Sequence, residues 1–379
     1  MRLAVVRQRY TPFGGAERFL ENALAALAER DVAVTLYTRE WPQAPVKSVA
    51  TRIVDPFHIG GLWRDMGFAR AVCRALDRDQ AGLVQSHERL ACCDIFRAGD
   101  GVHAVWLDER LRDASFARRV AVRINPHHRY RIAIERRMYA SERLKAVICN
   151  SGMVKDEIRE RFGIPGERLH VIYNAVDTRV YSPDLRTERS PLRERLGIPE
   201  AATVFLFVGS GFERKGVATA IAALALLDAQ SHLIVVGRDK HLHRYADRAR
   251  ALGVAARVTL TGPQQDPRPY YGAADAFVLP TLYDPCPNAA LEAMACALPI
   301  VTSTKSGAAE LALAHGAGLV CRAGDAAALA AHMRSLGDPA LRSRLGANAR
   351  AAVLPLTSSA MTQKLLTLYR DLLGAQPPT

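Results

Sequence analysis

The chain reads as an α/β protein built from two successive parallel-sheet lobes, and three observations carry that reading. Short strand-like runs and longer helix-like runs alternate along most of the sequence. The alternation starts afresh near residue 203, so the plan occurs twice. The first strand of each series is followed by a glycine-bearing turn, at Gly14-Gly15 and at Gly209 to Gly216. Parallel strands joined in this way need helical crossovers, so sheets covered on both faces are expected.

In the first series Leu3–Arg7 and Val32–Thr38 read as strands flanking a helical stretch, Ala16–Glu29. Leu83–Ser86 and Ala146–Asn150 read as later strands, with helices at Glu135–Lys145 and Val154–Phe162. The second series runs through strand Thr203–Val208, helix Val217–Leu227, strand His232–Val236, helix Tyr245–Leu252 and strand Val258–Thr261. It continues with strand Ala276–Pro280, helix Ala289–Ala297 and strand Ile300–Thr302. Two Rossmann-like lobes follow, at 1–175 and 176–357. Between them Asn174 to Pro199 mixes Pro183, Pro191 and Pro199 with alternating charges, which suits an exposed hinge. The last helix, 358–373, follows the final strand and is expected to pack back on the first lobe.

Length and composition agree. The chain has 379 residues, 49% apolar and 23% charged, which is globular and large enough for two domains. Its net charge of +13 points to a polyanionic partner: nucleic acid, an anionic membrane face or a phosphorylated ligand. Seven cysteines, an odd number with Cys92 and Cys93 adjacent and no Cys-x-x-Cys, fit neither a disulfide framework nor a zinc cage. A reducing, cytoplasmic compartment is therefore expected. Met1 to Val6 lacks the features of a secretion signal, and the longest apolar stretch, Val217–Leu227, is too short to cross a bilayer.

Candidate site residues gather at the turns. Gly14 and Gly15 would let backbone N–H groups approach a phosphate at a helix start, although a tight β-α turn needs glycine in any case. Neither turn is a dinucleotide fingerprint or a Walker A loop. In the second turn Arg214 and Lys215 join Gly209, and cations at a helix start oppose its dipole unless an anion arrives. Asp284-Pro285-Cys286-Pro287-Asn288 leads into Ala289-Ala290-Leu291-Glu292, placing one carboxylate on a loop and one in the first turns of a helix. Asn288 is the expected N-cap. Carboxylates accept well from the vicinal hydroxyls of a sugar or ribose, so Asp284 and Glu292 read as facing one cleft.

Together these motifs resemble the GT-B glycosyltransferases of family 4, retaining nucleotide-sugar enzymes. The resemblance rests on Gly14-Gly15, Asn174-Ala175-Val176-Asp177, the Gly209 to Gly216 loop and Leu291-Glu292-Ala293-Met294-Ala295-Cys296-Ala297-Leu298-Pro299. Asp284 stands where the family usually has Glu and keeps the charge with a shorter reach. Ala297 replaces the usual glycine. A narrower resemblance, through Tyr10 to Gly15, Arg97 to His103 and Val208 to Gly216, is to lipopolysaccharide core enzymes that add α-linked glucose to the heptose region. It implies an interlobe cleft, with UDP-glucose on the second lobe and a lipopolysaccharide heptose acceptor on the first. In that scheme Gly14 and Gly15 border the diphosphate and acceptor. Arg214 and Lys215 bind the diphosphate, with Gly209, Cys286 and Asn288 alongside in the donor site. Glu292 binds the ribose, and Asp284 holds hydroxyls of the transferred sugar.

Asp100 and His103, after a glycine turn in the first half, read as acceptor-side residues that position or polarise the attacking hydroxyl. The resemblance implies front-face attack, with a donor phosphate oxygen taking the proton. No cofactor is expected, and no metal: Arg214 and Lys215 neutralise the diphosphate, and Asp77-Arg78-Asp79 reads as a polar helix end rather than a metal loop. From Gly101 to Lys145 eleven basic residues face five acidic ones, with Trp106, Phe116, Tyr130 and Tyr139 interspersed. That mixture suits peripheral contact with an anionic inner membrane, and no nucleic-acid module is present. The rival readings are another donor (UDP-N-acetylglucosamine or UDP-galactose) or another glycan acceptor, a non-catalytic basic scaffold on membrane or RNA, and a nucleotide-sugar epimerase.

Overall fold

The computed structural model describes residues 2–9, 33–41 and 49–374. Gly14, Gly15 and the helix expected at Ala16–Glu29 lie outside them. The chain divides into two compact units, one running to Ala175 and resuming at Ser358, the other spanning Val176–Thr357.

The first unit holds strands β1 (Arg2–Val6), β2 (Ala33–Thr38), β3 (Ala50–Ile53), β4 (Leu83–Ser86), β5 (Ile95–Arg97), β6 (Ala146–Cys149) and β7 (Leu169–Val171). They form one parallel sheet in the order β3-β2-β1-β4-β5-β6-β7. Helices α1 (Gly60–Arg78), α2 (His103–Leu111), α3 (Phe116–Ile124), α4 (Pro126–Tyr139) and α5 (Gly152–Phe162) connect them. Alternate strand residues feed two cores, as a two-residue period requires. Ala4, Val6, Val84, Phe96 and Val147 join Phe68 and Val72 of α1 and Ile158 of α5. Leu3, Val5, Leu83, Ile95 and Ile148 join Met361, Leu365 and Tyr369 of the C-terminal helix, Ser358–Gly374.

The second unit opens with α6 (Arg189–Arg195) and holds β8 (Thr203–Val208), β9 (Ser231–Val236), β10 (Val258–Gly262), β11 (Ala276–Leu279), β12 (Ile300–Ser303) and β13 (Gly318–Cys321). These strands form a parallel sheet in the order β10-β9-β8-β11-β12-β13. Its helices are α7 (Phe212–Lys215), α8 (Val217–Leu224), α9 (Leu242–Ala251), α10 (Arg268–Ala273), α11 (Asn288–Ala295), α12 (Ala308–His315), α13 (Ala326–Ser335) and α14 (Pro339–Val353). In both sheets the strand order reverses about the first strand, β1 or β8. Ligands of such sheets sit outside the carboxyl ends at the switch, here β1 with β4 and β8 with β11.

Several expectations are corrected. The helix expected at Glu135–Lys145 is α4, which ends at Tyr139 and starts at Pro126. Asn125 Oδ1 accepts from the N–H groups of His127 and His128 and Pro126 takes the first position, so the Asn-Pro pair sets the start. Cys73 and Cys92 form a disulfide between α1 and the segment after β4, which runs against the expected reducing compartment. One bridge is no framework, and Cys93, Cys149, Cys286, Cys296 and Cys321 remain as buried thiols. Asp77-Arg78-Asp79 closes α1, with the Asp79 carboxylate accepting from Tyr37 (2.9 Å) and pairing with Arg52 (2.9 Å).

The chain passes from one unit to the other at Ala175–Val176, inside the Asn174 to Pro199 stretch expected as the hinge, and much of that stretch is exposed, whereas Arg193 within it is only 1% exposed. All five of its N–H donors are engaged: Nε and one Nη2 N–H with Ala273 O, two Nη1 N–H with Glu200 O and Ala202 O, and the last with Asp275 Oδ2 at 2.7 Å. Asp275 also accepts from Val204 N (2.8 Å) and Arg189 (2.8 Å). Burial opposes its ionisation, yet the Val204 N–H and the guanidiniums hold its carboxyl below the usual range. Asp275→Asn leaves a buried guanidinium without a countercharge and is expected to cost about 3–5 kcal/mol. Urea unfolding of the variant checks this, and a loss under about 1 kcal/mol would refute it.

Candidate active site

In the second unit two of the sequence-predicted donor residues, Arg214 and Lys215, converge on a third, Asp284. After β8, Gly209 lies under the Lys215 side chain: a Cβ there would sit 2.6 Å from Lys215 Cδ. Gly237, after β9, abuts Gly209 so closely that its own Cβ would fall 1.8 Å from Gly209 O. Gly211, at φ +76°, turns the chain into α7, and Phe212 N donates to Asp239 Oδ2 (2.8 Å). Gly216, at φ +81°, ends that turn, and a Cβ there would strike Pro280 O at 2.1 Å. Only glycine satisfies both demands at 216, and the loop is thereby pressed against the end of β11.

There Lys215 Nζ stands 3.1 Å and Arg214 Nη1 3.6 Å from Asp284 Oδ2. Arg214 also donates to Tyr283 O (2.9 Å), while its own carbonyl accepts from Leu282 N and Thr281 Oγ1. Asp284 is buried and tied by its backbone to Lys305 and Gly307. Two cations on one carboxylate leave the cluster with one net positive charge, and Arg214 remains 38% exposed in its side chain. An anion met here finds fixed donors in place of water.

Cys286 is buried on the loop after Asp284. Asn288 is the first residue of α11 rather than its N-cap. Pro287 is extended and its carbonyl accepts from Ala290 N and Leu291 N, so the cap falls one residue earlier. Glu292 is buried on α11 and Oε2 accepts from Tyr271 Oη at 2.8 Å. Burial and the Glu292 charge push the Tyr271 phenol well above its ordinary value. Sequence reasoning missed Tyr271, whose only signal was a Tyr-Tyr pair in a short helix.

In the first unit Asp100 and His103 flank Gly101, at φ +65°. Asp100 is exposed, while His103 opens α2 and is buried. A carboxylate fixes this turn: Glu135 Oε1, on α4, accepts from His103 N (3.1 Å) and from Arg89 Nε (2.9 Å). Arg89 also donates to Gly101 O (3.0 Å), so one guanidinium braces both sides of the turn. His103 Nε2 meets His128 Nδ1 at 3.2 Å, and Trp106 packs beside both rings. Burial, then the charges of Arg89 and Arg131, lower the His103 pKa to about 3. The ring is a neutral hydrogen-bonding group, unsuited to storing a proton near pH 7. Glu135 and Arg89 give no signal in the sequence, because their meeting depends on tertiary placement.

Comparison with known proteins bears on what these groups serve. Residues 13–180 match Glycosyltransferase Family 4, and residues 188–352 match Glycosyl transferases group 1. The chain is 29% identical over 349 residues to a probable transglycosylase of Burkholderia thailandensis, covering 90% of this chain and 88% of that one. It is 26% identical over 322 residues to the lipopolysaccharide glucosyltransferase WaaG of Escherichia coli, covering 81% of each. A crystal structure of WaaG, described as a glycosyltransferase involved in lipopolysaccharide biosynthesis, superposes with a TM-score of 0.82 at 24% identity, over 97% of this chain and 99% of that one. Anabaena HepE in complex with UDP-glucose superposes at 0.72 and 20% identity, over 97% and 99%. The structural likeness shows a shared GT-B fold.

The neutral state of His103 has a measurable consequence. Its folded pKa, about 3, lies below the ordinary value of 6.5, so between about pH 6.5 and 3 the unfolded chain binds a proton that the folded chain does not. Stability from this group is complete above that window and is lost as pH falls through it. Histidine NMR titration is expected to show a neutral His103 ring at about pH 5, and a midpoint near 6.5 would contradict the burial.

Proposed function

Because the chain belongs to the family 4 and group 1 glycosyltransferases, we propose that it transfers glucose from UDP-glucose, with retention and without a metal ion, to a heptose of a nascent lipopolysaccharide inner core. The Arg214, Lys215 and Asp284 cluster at the carboxyl ends of β8 and β11 carries this reading. Arg214 and Lys215 take up the charge that develops on the departing diphosphate, the role a metal plays elsewhere. Asp284, shared between them, turns its remaining lone pairs to hydroxyls of the transferred sugar. Glu292, already oriented by Tyr271, accepts from the ribose. The acceptor oxygen bonds to the anomeric carbon as the bond to the diphosphate breaks, and a phosphate oxygen on the same face takes the acceptor proton. His103, held neutral, and Asp100 orient that hydroxyl and need not store its proton.

The acceptor is placed at the cytoplasmic face of the inner membrane, and α3 supports this. Phe116, Val120 and Ile124 recur four residues apart and are 83%, 40% and 66% exposed, with Arg118, Arg119 and Arg123 between them and no residue of the helix buried. An apolar stripe edged with arginines is the pattern of a helix lying on an anionic interface. No helix among the described residues is long and apolar enough to cross a membrane.

Thermal-shift and titration screening against UDP, GDP, ADP and their sugar conjugates tests the donor. UDP-glucose is expected to stabilise most, and Glu292→Ala to weaken its binding at least tenfold, about 1.4 kcal/mol. Stabilisation by UDP-N-acetylglucosamine or UDP-galactose instead would replace the donor, and none at all would favour a scaffold. Transfer is expected to survive EDTA. Phe116→Ser with Ile124→Ser is expected to lower binding to phosphatidylglycerol vesicles about tenfold in flotation assays while UDP-glucose affinity is unchanged.

A further inference from the structure

The Gly209 to Gly216 loop is held at both ends, and the two ends are built differently. Its exit is gripped by the end of β11: Leu282 N and Thr281 Oγ1 donate to Arg214 O, at 2.8 and 3.0 Å, and Gly216 is pressed on Pro280. Its entrance rests on the segment after β9. There Gly209 N donates to Val236 O (2.9 Å), Gly211 N to Arg238 O (3.1 Å) and Arg238 N to Ser210 Oγ (3.3 Å). Asp239 supplies the link that reaches the helix itself, its Oδ2 accepting from Phe212 N and its Oδ1 from His241 N, both at 2.8 Å. That helix, α7, has four residues, and two of them are Arg214 and Lys215. One turn makes too few bonds to hold itself. Phe212 anchors it in the core against Phe207 and Tyr245, and the bond to Asp239 sets the direction of its first amide.

Resting on the proposed transferase reading, we propose that Asp239 is a positioning residue for the diphosphate: it orders α7 before the ligand arrives, so that Arg214 and Lys215 meet the phosphates already aligned. Its charge alone works the other way. A carboxylate beside two cations that await an anion weakens the field the anion meets. The benefit lies in order, because a loop that must be fixed at the moment of binding subtracts that cost from the affinity. The two effects have opposite signs. Removing the charge alone tightens the diphosphate, whereas removing the bond to Phe212 N loosens it, and substitutions at 239 separate them.

Calorimetric titration of the full-length protein with UDP and with UMP reads the second phosphate alone, as the ratio of the two dissociation constants. Asp239→Ala removes both bonds and is expected to lower the preference for UDP about tenfold. Asp239→Ser keeps a hydroxyl for the N–H two residues on but is too short for Phe212 N. It is expected to lose about as much, and it covers the case in which the alanine variant fails to fold. Asp239→Asn removes the same charge yet keeps an acceptor for Phe212 N, and is expected to hold the preference within about threefold of wild type. A preference that the alanine and serine variants keep or raise overturns the positioning role alone, and so does an asparagine variant that loses as much as the alanine one. Wild type that binds neither nucleotide overturns the transferase reading and the role of Asp239 with it.

Discussion

A carboxylate buried just ahead of an inner strand organises each unit. Asp94 precedes β5, and its Oδ2 takes the Val84 N–H at the start of β4 (2.8 Å). Asp275 precedes β11, and its Oδ2 takes the Val204 N–H at the start of β8, also at 2.8 Å. Val84 and Val204 are the second residues of their strands, and leaving either amide buried and unbonded would cost roughly 1–3 kcal/mol. Fixing where an inner strand starts fixes where it ends. The candidate-site turns emerge from strand ends set in this way: the Gly209 loop and Asp284 in the second unit, Glu88 and Arg89 in the first.

The chain's arginines serve in two ways. Arg193, Arg97 and Arg89 face inward: the first saturates strand-start carbonyls, the second donates to Asn174 (2.6 Å), and the third braces the Gly101 turn. Those of α3 face outward around exposed apolar residues. Net charge therefore says little about any single arginine, and only burial and partners separate a structural guanidinium from one available to an anion.

The repeated α/β plan was legible because helix and strand periods differ and most elements span several residues of a period. β5 and β7, with three residues each, are too short to show one. The candidate anion loop stood out in the sequence through Gly209, Arg214, Lys215 and Asp284, since glycines beside cations at a strand-to-helix turn suit an anion. That Asp284 would serve as countercharge to both cations was not legible, because the residues are far apart in sequence. Glu135 and Tyr271 were hidden for the same reason: a carboxylate and a phenol inside helical runs look like any others until the fold brings His103 and Glu292 to them. The burial of Arg193 on Asp275 was hidden inside the Asn174 to Pro199 stretch, where alternating charge suggests solvent.

The C-terminal helix gives the chain a direction in time. Met361, Leu365 and Tyr369 close a core that Leu3, Val5 and Ile148 begin, so the first unit to emerge from the ribosome waits for the segment that follows the whole of the second. The second unit, continuous from Val176 to Thr357, has its full complement of chain first. Synthesis of the intervening second unit at about 5–20 residues per second leaves one face of the N-terminal sheet uncovered for roughly ten to forty seconds.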